Sequence, residues 1–231
     1  MKVIGLIGGL SWESSAEYYR LINQEVHSRL GGSHSAKLLM LSVDFHELEL
    51  LQNQDRWDDA AAIMVAAALQ LEQGGAECVA IGSNTMHRAA PQVAAAVPLP
   101  LLHIADATAE AVDMAGLKRV GLMGTRYTME HEYYRGRLTS RAGLEVLIPP
   151  AQDRATLHRI IYEELIHGRL LDESRQAYLA IMERLASQGA EGIILGCTEI
   201  SMLVQPGDGA VPLFDTTAIH ALALVDWALA A

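Results

Sequence analysis

Short apolar runs alternate along this chain with longer amphipathic stretches. The short runs are Lys2–Ile7, Lys37–Val43, Cys78–Gly82, Pro100–Ile104, Arg119–Met123, Glu145–Ile148, Gly192–Leu195 and Leu213–Asp215. Several are apolar throughout, the pattern of strands covered on both faces. Between most of them the spacing is helical. Arg56–Gln73 is the clearest case, with Ala-Ala-Ala-Ile-Met-Val-Ala-Ala-Ala-Leu at its centre and Gly74-Gly75 at its end. A glycine pair closes a helix because it reaches backbone conformations that side chains disfavour. Strand–helix alternation predicts an α/β fold with mostly parallel sheets flanked by helices. Ligands then gather at the carboxyl ends of the strands, where loops are free to carry chemistry.

The pattern also repeats. Gly75-Ala76-Glu77-Cys78-Val79-Ala80-Ile81-Gly82-Ser83-Asn84 aligns with Gly189-Ala190-Glu191-Gly192-Ile193-Ile194-Leu195-Gly196-Cys197-Thr198 at an offset of 114. Glu17-Tyr18-Tyr19-Arg20 recurs as Glu132-Tyr133-Tyr134-Arg135 at 115, and Gly5-Leu6-Ile7-Gly8 as Gly121-Leu122-Met123-Gly124 at 116. Three matches in one order at nearly one offset point to an internal duplication. Two similar lobes facing each other across a pseudo-two-fold axis are therefore expected, with the active site in the cleft between them. Residues 1–98 with 208–231 would form the first lobe and 99–207 the second.

Composition narrows the functional classes. Among 231 residues, 17 are basic and 28 acidic, a net charge of −11, which disfavours nucleic acid or an anionic membrane as partner. Aromatic residues make up only 5%, too few for a base-stacking platform. The first residues turn to glycine too soon for a signal peptide, and no apolar stretch is long enough to span a bilayer. The two cysteines, Cys78 and Cys197, are far apart and in no CxxC pair, so neither a disulfide framework nor a zinc site is expected. These features predict a soluble cytoplasmic protein.

Under the duplication, Ser83 and Cys197 occupy equivalent strand ends, each after a glycine and before a predicted helix N-terminus. Backbone N–H groups and the helix dipole at such a place hold an anion such as a carboxylate. A cysteine there can form a thiolate, whereas Cys78, inside a strand, reads as packing. Two proton-handling groups on opposite sides of a small anion can move a proton from one face of a carbon to the other.

Gly82-Ser83-Asn84-Thr85-Met86-His87 resembles the CNTxH motif of the aspartate/glutamate racemases. Ile194-Leu195-Gly196-Cys197-Thr198-Glu199-Ile200 is similar to their GCTE motif, and Ile4-Gly5-Leu6-Ile7-Gly8-Gly9-Leu10-Ser11 to their glycine-rich start. The resemblance covers the whole chain, and it is nearest to the broad-specificity or L-aspartate/glutamate branch. It implies a cofactor-independent amino-acid racemase built from two pseudo-symmetric Rossmann-like lobes, usually dimeric, in which one thiol removes the α-proton and the opposite one returns it. Ser83 and Cys197 would be the catalytic pair. Asn84, Thr85 and Thr198 would bind the substrate α-carboxylate and amino group, and Leu10, Ser11 and Gln52 would line the pocket. His87, one helical turn after Ser83, and Glu199, two residues after Cys197, are candidate assisting groups.

Two features depart from the family pattern. Serine stands where the first catalytic cysteine is expected. A hydroxyl near the ~15.7 of water lies roughly seven units above a thiol at ~8.5, or ~10 kcal/mol against the anion, so Ser83 is a donor or relay rather than a base. The arginine and lysine that clamp a side-chain carboxylate are replaced by Glu47 and Ile166, leaving His46, Arg126 and His167 as candidate substitutes. Two alternatives follow: a catalytically impaired relative that binds a small dicarboxylate, and another cysteine-based isomerase such as a hydantoin racemase or maleate isomerase.

No cofactor or metal is expected. Pyridoxal phosphate needs a Schiff-base lysine, and Lys2, Lys37 and Lys118 all begin strands, away from the ligand edge. Gly5-Leu6-Ile7-Gly8-Gly9 lacks dinucleotide and P-loop spacing, His131-Glu132 is not HExxH, and Ser83 is not in GxSxG.

Overall fold

The computed structural model describes residues 1–230. By its contacts the chain forms two compact units, Met1–Ile104 together with the segment from His220 onward, and Ala105–Ile219.

The first unit runs β1 (Ile4–Gly8), α1 (Trp12–Leu30), β2 (Leu38–Ser42), α2 (Phe45–Asn53), α3 (Trp57–Gln73), β3 (Cys78–Ile81), a tight 3-10 turn (Thr85–Ala89), α4 (Ala90–Ala96) and β4 (Leu101–Leu102). Its four strands are all parallel, in the order β2-β1-β3-β4. The central strands β1 and β3 are wholly buried, whereas edge strands β2 and β4 are only partly so. Successive side chains of a strand face opposite ways. Ile4, Leu6, Cys78 and Ala80 accordingly pack on α1, while Ile7, Val79 and Ile81 pack on the alanine-rich α3.

The second unit continues through α5 (Ile104–Met114), β5 (Arg119–Gly124), α6 (Arg126–Glu130), α7 (Glu132–Ala142), β6 (Glu145–Leu147), α8 (Ala151–Glu163), a 3-10 turn (Leu165–His167), α9 (Asp172–Ser187), β7 (Gly192–Gly196), α10 (Ile200–Leu203) and β8 (Leu213–Asp215). The sheet order is β6-β5-β7-β8, again all parallel. Helix α11 (Thr216–Leu229) returns the chain to the first unit. There Ala221, Leu224, Val225 and Ala228 complete the core around Tyr18, Ile22 and Val26. The return comes at His220 rather than at residue 208, because β8 pairs with β7 and so belongs to the second sheet. Residues 99–104 likewise stay with the first unit, since β4 pairs with β3.

The two sheets repeat each other in detail. Glu77 Oε2 accepts the Val3 N–H at 2.6 Å, and Glu191 Oε2 accepts those of Lys118 and Arg119 at 2.7 and 2.9 Å. Helices α3 and α9 both end through a positive-φ glycine, Gly75 or Gly189. Ala76 N–H then bonds Leu71 O, and Ala190 N–H bonds Leu185 O, at 3.0 Å in both. Burial pairs Tyr18 with Tyr134, each 0% exposed. That is an offset of 116, one residue beyond the sequence match of 115, because the second tyrosine of α7 and the first of α1 face their cores. No helix among the described residues is long and apolar enough to cross a membrane.

Candidate active site

In the first unit the sequence-predicted residues collect at the carboxyl ends of β1 and β3. Gly9 enters the turn after β1 at φ +77° and lies so close to β2's end that an added Cβ would sit 2.1 Å from Val43 O. Its N–H reaches Ser15 Oγ at 2.7 Å. Leu10 and Ser11 follow, both buried, and Ser11 Oγ accepts the Ser14 N–H at 3.3 Å as the N-cap of α1. Gln52, buried on α2, points its amide at Met86 Sδ, 3.2 Å away, which brings it to the loop after β3.

Ser83 in that loop is half-buried, and its Oγ accepts the Met86 N–H at 3.3 Å. Asn84, Thr85 and His87 beside it are buried. His87 does not touch the Ser83 hydroxyl. Its Nε2 lies 3.1 Å from the Ile104 N–H, and a nitrogen that accepts from a backbone N–H carries no proton. Nδ1 is therefore protonated and donates to the Ser83 carbonyl oxygen at 2.6 Å. The His87 ring also stacks on buried His103, with centroids 4.3 Å apart.

In the second unit Gly124 and Gly196 are partners in register at the ends of β5 and β7. A Cβ on Gly124 would lie 2.6 Å from Gly196 O, and one on Gly196 would lie 2.8 Å from Leu122 Cδ1. Glycine at both positions lets the strand ends close and sets the start of the next loop. Cys197, half-buried, is the first residue of that loop. Its Sγ donates to Glu199 Oε2 at 2.9 Å, and Thr198 Oγ1 donates to the same oxygen at 2.9 Å. Thr198 and Glu199 are buried. Loss of water, then the charge and hydrogen bond of Glu199, push the Cys197 thiol well above its ordinary range; the N–H groups of Thr198 and Glu199 oppose this less strongly. A cysteine that could form a thiolate at this strand end is here held as a thiol.

The predicted helix N-termini are also corrected. Ser83 leads into a five-residue 3-10 turn, and Cys197 into a four-residue α10. Neither sums enough aligned peptide dipoles to hold an anion by itself.

The remaining candidates sort by position. Cys78 is fully buried, and burial pushes its thiol up to about 11. His46, Glu47, Arg126 and His167 are exposed, and Ile166 is half-buried. The Arg126 guanidinium lies over the Tyr127 ring, 5.3 Å from its centroid. Lys118 directly precedes β5 and Lys37 directly precedes β2, and Lys2 lies two residues before β1.

One group escaped the sequence reading. Tyr178 of α9 is 0% exposed, and its hydroxyl has no hydrogen-bond partner among the described residues. Burial, and then the proximity of Cys197, Glu199 and Glu164, push its phenol well above the ordinary range. It shares a helical face with Ile181, Met182 and Leu185, so in sequence it is indistinguishable from core.

The profile of the Asp/Glu/hydantoin racemase family matches residues 7–224. The crystal structure of a Yersinia pestis protein, provisionally named an Asp/Glu racemase, is 53% identical and superposes with a TM-score of 0.92 over 100% of both chains. That of an aspartate racemase homologue from Pyrococcus horikoshii is 36% identical, with a TM-score of 0.83 over 99% of each chain. The broad-specificity amino-acid racemase of Bacillus subtilis is 24% identical over 75% of this chain and 74% of its own. With the profile spanning nearly the whole sequence and both motif loops lying at equivalent strand ends, the chain belongs to the Asp/Glu/hydantoin racemases, a family of isomerases.

Proposed function

We propose that this chain is a cofactor-independent amino-acid racemase of the aspartate/glutamate type. Cys197 handles the α-proton on one face of the substrate and Ser83 supplies a proton on the other. The observation that carries this reading is the equivalence of the two positions. Each follows a glycine at the carboxyl end of the third strand in a sheet of the same order, β3 in one and β7 in the other. Asn84, Thr85 and Thr198 bind the α-carboxylate and amino group, and Leu10, Ser11 and Gln52 line the pocket. Stabilising the carbanion falls to hydrogen-bond donors around that carboxylate, the usual source of catalysis for a developing anion.

The side-chain specificity is broad. Glu47 is exposed and Ile166 is apolar where the two-cysteine aspartate racemases carry a cationic clamp, and the B. subtilis relative is named for broad specificity. The working form is a cytoplasmic homodimer, which light scattering of the purified protein would test.

The deciding experiment follows α-deuterium wash-in from D2O and chiral inversion together, on both enantiomers of aspartate, glutamate and a neutral amino acid. Wash-in on at least one enantiomer, with slower inversion, is the expected result. No wash-in and no inversion on any of them would reject the proposal.

Ser83 favours a second reading, a relative that binds a small dicarboxylate without turning it over. Calorimetric binding with no exchange would support it, as would activity gained on Ser83→Cys. Assays with hydantoins and maleate separate the other cysteine-based isomerases.

A further inference from the structure

Beside the 3-10 turn that follows β3, the first unit holds a cavity of about 170 Å³. Sites for drug-sized ligands run to ~300–1,000 Å³, so this one takes a molecule of a few heavy atoms. Its apolar wall is Ala61 of α3 with Met86 and Ala89 of the turn, all buried. Its two charged groups are Arg88, half-buried, and Asp58, exposed in the first turn of α3. The Arg88 guanidinium lies over the Trp57 ring, 4.1 Å from its centroid, and Trp57 Nε1–H is itself fixed by Asp55 Oδ1 at 2.6 Å. Nη1 of Arg88 is buried and has no hydrogen-bond partner among the described residues. Although Arg88 and Asp58 line one cavity, they form no ion pair with each other or with any other described residue; Asp59, next to Asp58, takes Arg56 instead.

A guanidinium has five N–H donors and no acceptor, and a cation drawn partly out of water without a counter-charge is costly. What completes Arg88 must therefore bring an anionic acceptor. A bare anion would meet Asp58 as a like charge, and the dipole at the start of α3 keeps Asp58 ionised. A zwitterion satisfies both ends, with its carboxylate on Arg88, its ammonium on Asp58 and a small side chain against Ala61, Met86 and Ala89.

We propose that this cavity is a binding site for a small zwitterion, an α-amino acid with a short apolar side chain, and that Arg88 and Asp58 are its two charged partners. Neither residue belongs to the set assigned above to substrate, and the site stands whether or not the chain is a racemase. It reaches the Ser83 loop through one side chain. Met86, in the cavity wall, also donates its N–H to Ser83 Oγ at 3.3 Å and takes the Gln52 amide on Sδ at 3.2 Å. A ligand against Met86 is therefore felt at Ser83 and Gln52.

The test follows the Met86 methyl signal by NMR in the whole chain carrying 13C-labelled methionine methyls, assigned by its loss in Met86→Leu. The probe is 2-aminoisobutyrate, a zwitterion with no α-hydrogen to exchange, titrated beside acetate and ethylammonium, which each carry one of its charges. A saturable shift is expected, with the zwitterion bound at least about fivefold more tightly than either half. No saturable shift, or acetate bound as tightly as the zwitterion, overturns the proposal. Arg88→Gln is expected to weaken the zwitterion at least about tenfold, since it removes a hydrogen bond to a charged group. Asp58→Asn is expected to bring acetate and the zwitterion within about twofold of each other, since only the exposed carboxylate separates them. A shift with the same midpoint in both variants places the zwitterion elsewhere and overturns the proposal. Should Arg88→Gln lower the thermal unfolding midpoint, Asp58→Asn, at an exposed position, decides alone.

Discussion

His87 holds the loop of Ser83 by its main chain: Nδ1–H donates to the Ser83 carbonyl oxygen at 2.6 Å, while Nε2 accepts from Ile104 at 3.1 Å. One neutral ring thereby fixes the turn after β3 and the first residue of α5. His87→Ala deletes both of these hydrogen bonds, one buried and one part-buried. The expected loss is about 3 kcal/mol, read from urea unfolding. A loss within error of zero would mean the loop closes without the ring.

Ser83→Cys places a second thiol at the equivalent strand end. The wild-type hydroxyl lies roughly seven pKa units from a thiol, so proton delivery on that face limits inversion more than it limits wash-in. The variant is expected to raise the ratio of inversion to wash-in at least about tenfold, measured by NMR and chiral chromatography on one sample. Because a racemisation has an equilibrium constant of one, kcat/KM stays equal in the two directions for both proteins. A ratio that does not rise would show that Ser83 is not the opposite-face donor.

Tyr178→Phe removes a buried hydroxyl that has no hydrogen-bond partner among the described residues. Leaving such a group unpaired costs about 1–3 kcal/mol, so its removal is expected to leave the protein as stable as before or up to about 1 kcal/mol more stable. Thermal and urea unfolding check this. A loss above ~1 kcal/mol would mean that the hydroxyl finds a hydrogen bond in solution.

The eight apolar runs of the sequence mark the eight strands, and Leu213–Asp215 coincides with β8 residue for residue. Buried parallel strands announce themselves because both faces are apolar, and the Gly74-Gly75 stop was legible for the same local reason. The site was legible at its punctuation, the glycine and the Ser or Cys that ends each strand. What lay out of reach depends on side-chain direction. Glu199 could be suspected from its spacing, but nothing in a sequence turns its carboxylate toward the sulfur. The rings of His87 and His220 take their partners from backbone 17 and 118 residues away, a separation that no local pattern encodes.

Acid should weaken the first unit through His220. This ring is 0% exposed, with Nε2–H donating to Leu102 O at 2.9 Å and Nδ1 accepting from Tyr18 Oη at 2.8 Å. Burial lowers its pKa to about 4, against ~6.5 in the unfolded chain. Between these values the unfolded chain binds the extra proton. The stability is complete above pH ~6.5 and drains away as pH falls toward ~4, a loss of order 3 kcal/mol. Urea unfolding at pH 7 and 4.5 is expected to show a smaller pH-dependent loss in His220→Asn than in the wild type. Equal losses would assign the acid sensitivity elsewhere.

Gly9→Ala combines a left-handed backbone with a contact. At φ +77° the new Cβ would lie 2.1 Å from Val43 O and 2.5 Å from Val43 N, and backbone atoms of a paired strand end have nowhere to go. The expected cost exceeds about 2 kcal/mol, read as a lowered unfolding midpoint. Gly31→Ala is the control, since it shares a positive φ but meets nothing within 4 Å; equal costs for the two would reject the contact argument.

Helix α11 carries a consequence for how the chain emerges from the ribosome. The second unit is one continuous stretch, whereas the first needs Ala221, Leu224, Val225 and Ala228 to cover the face of its sheet lined by Ile4, Leu6, Cys78 and Ala80. During synthesis the early strands therefore wait with that apolar face covered by α1 alone while the inserted unit, complete by Ile219, can already pack. The usual order of domain folding, amino-terminal part first, is inverted, and the unit that begins the chain is the last to close.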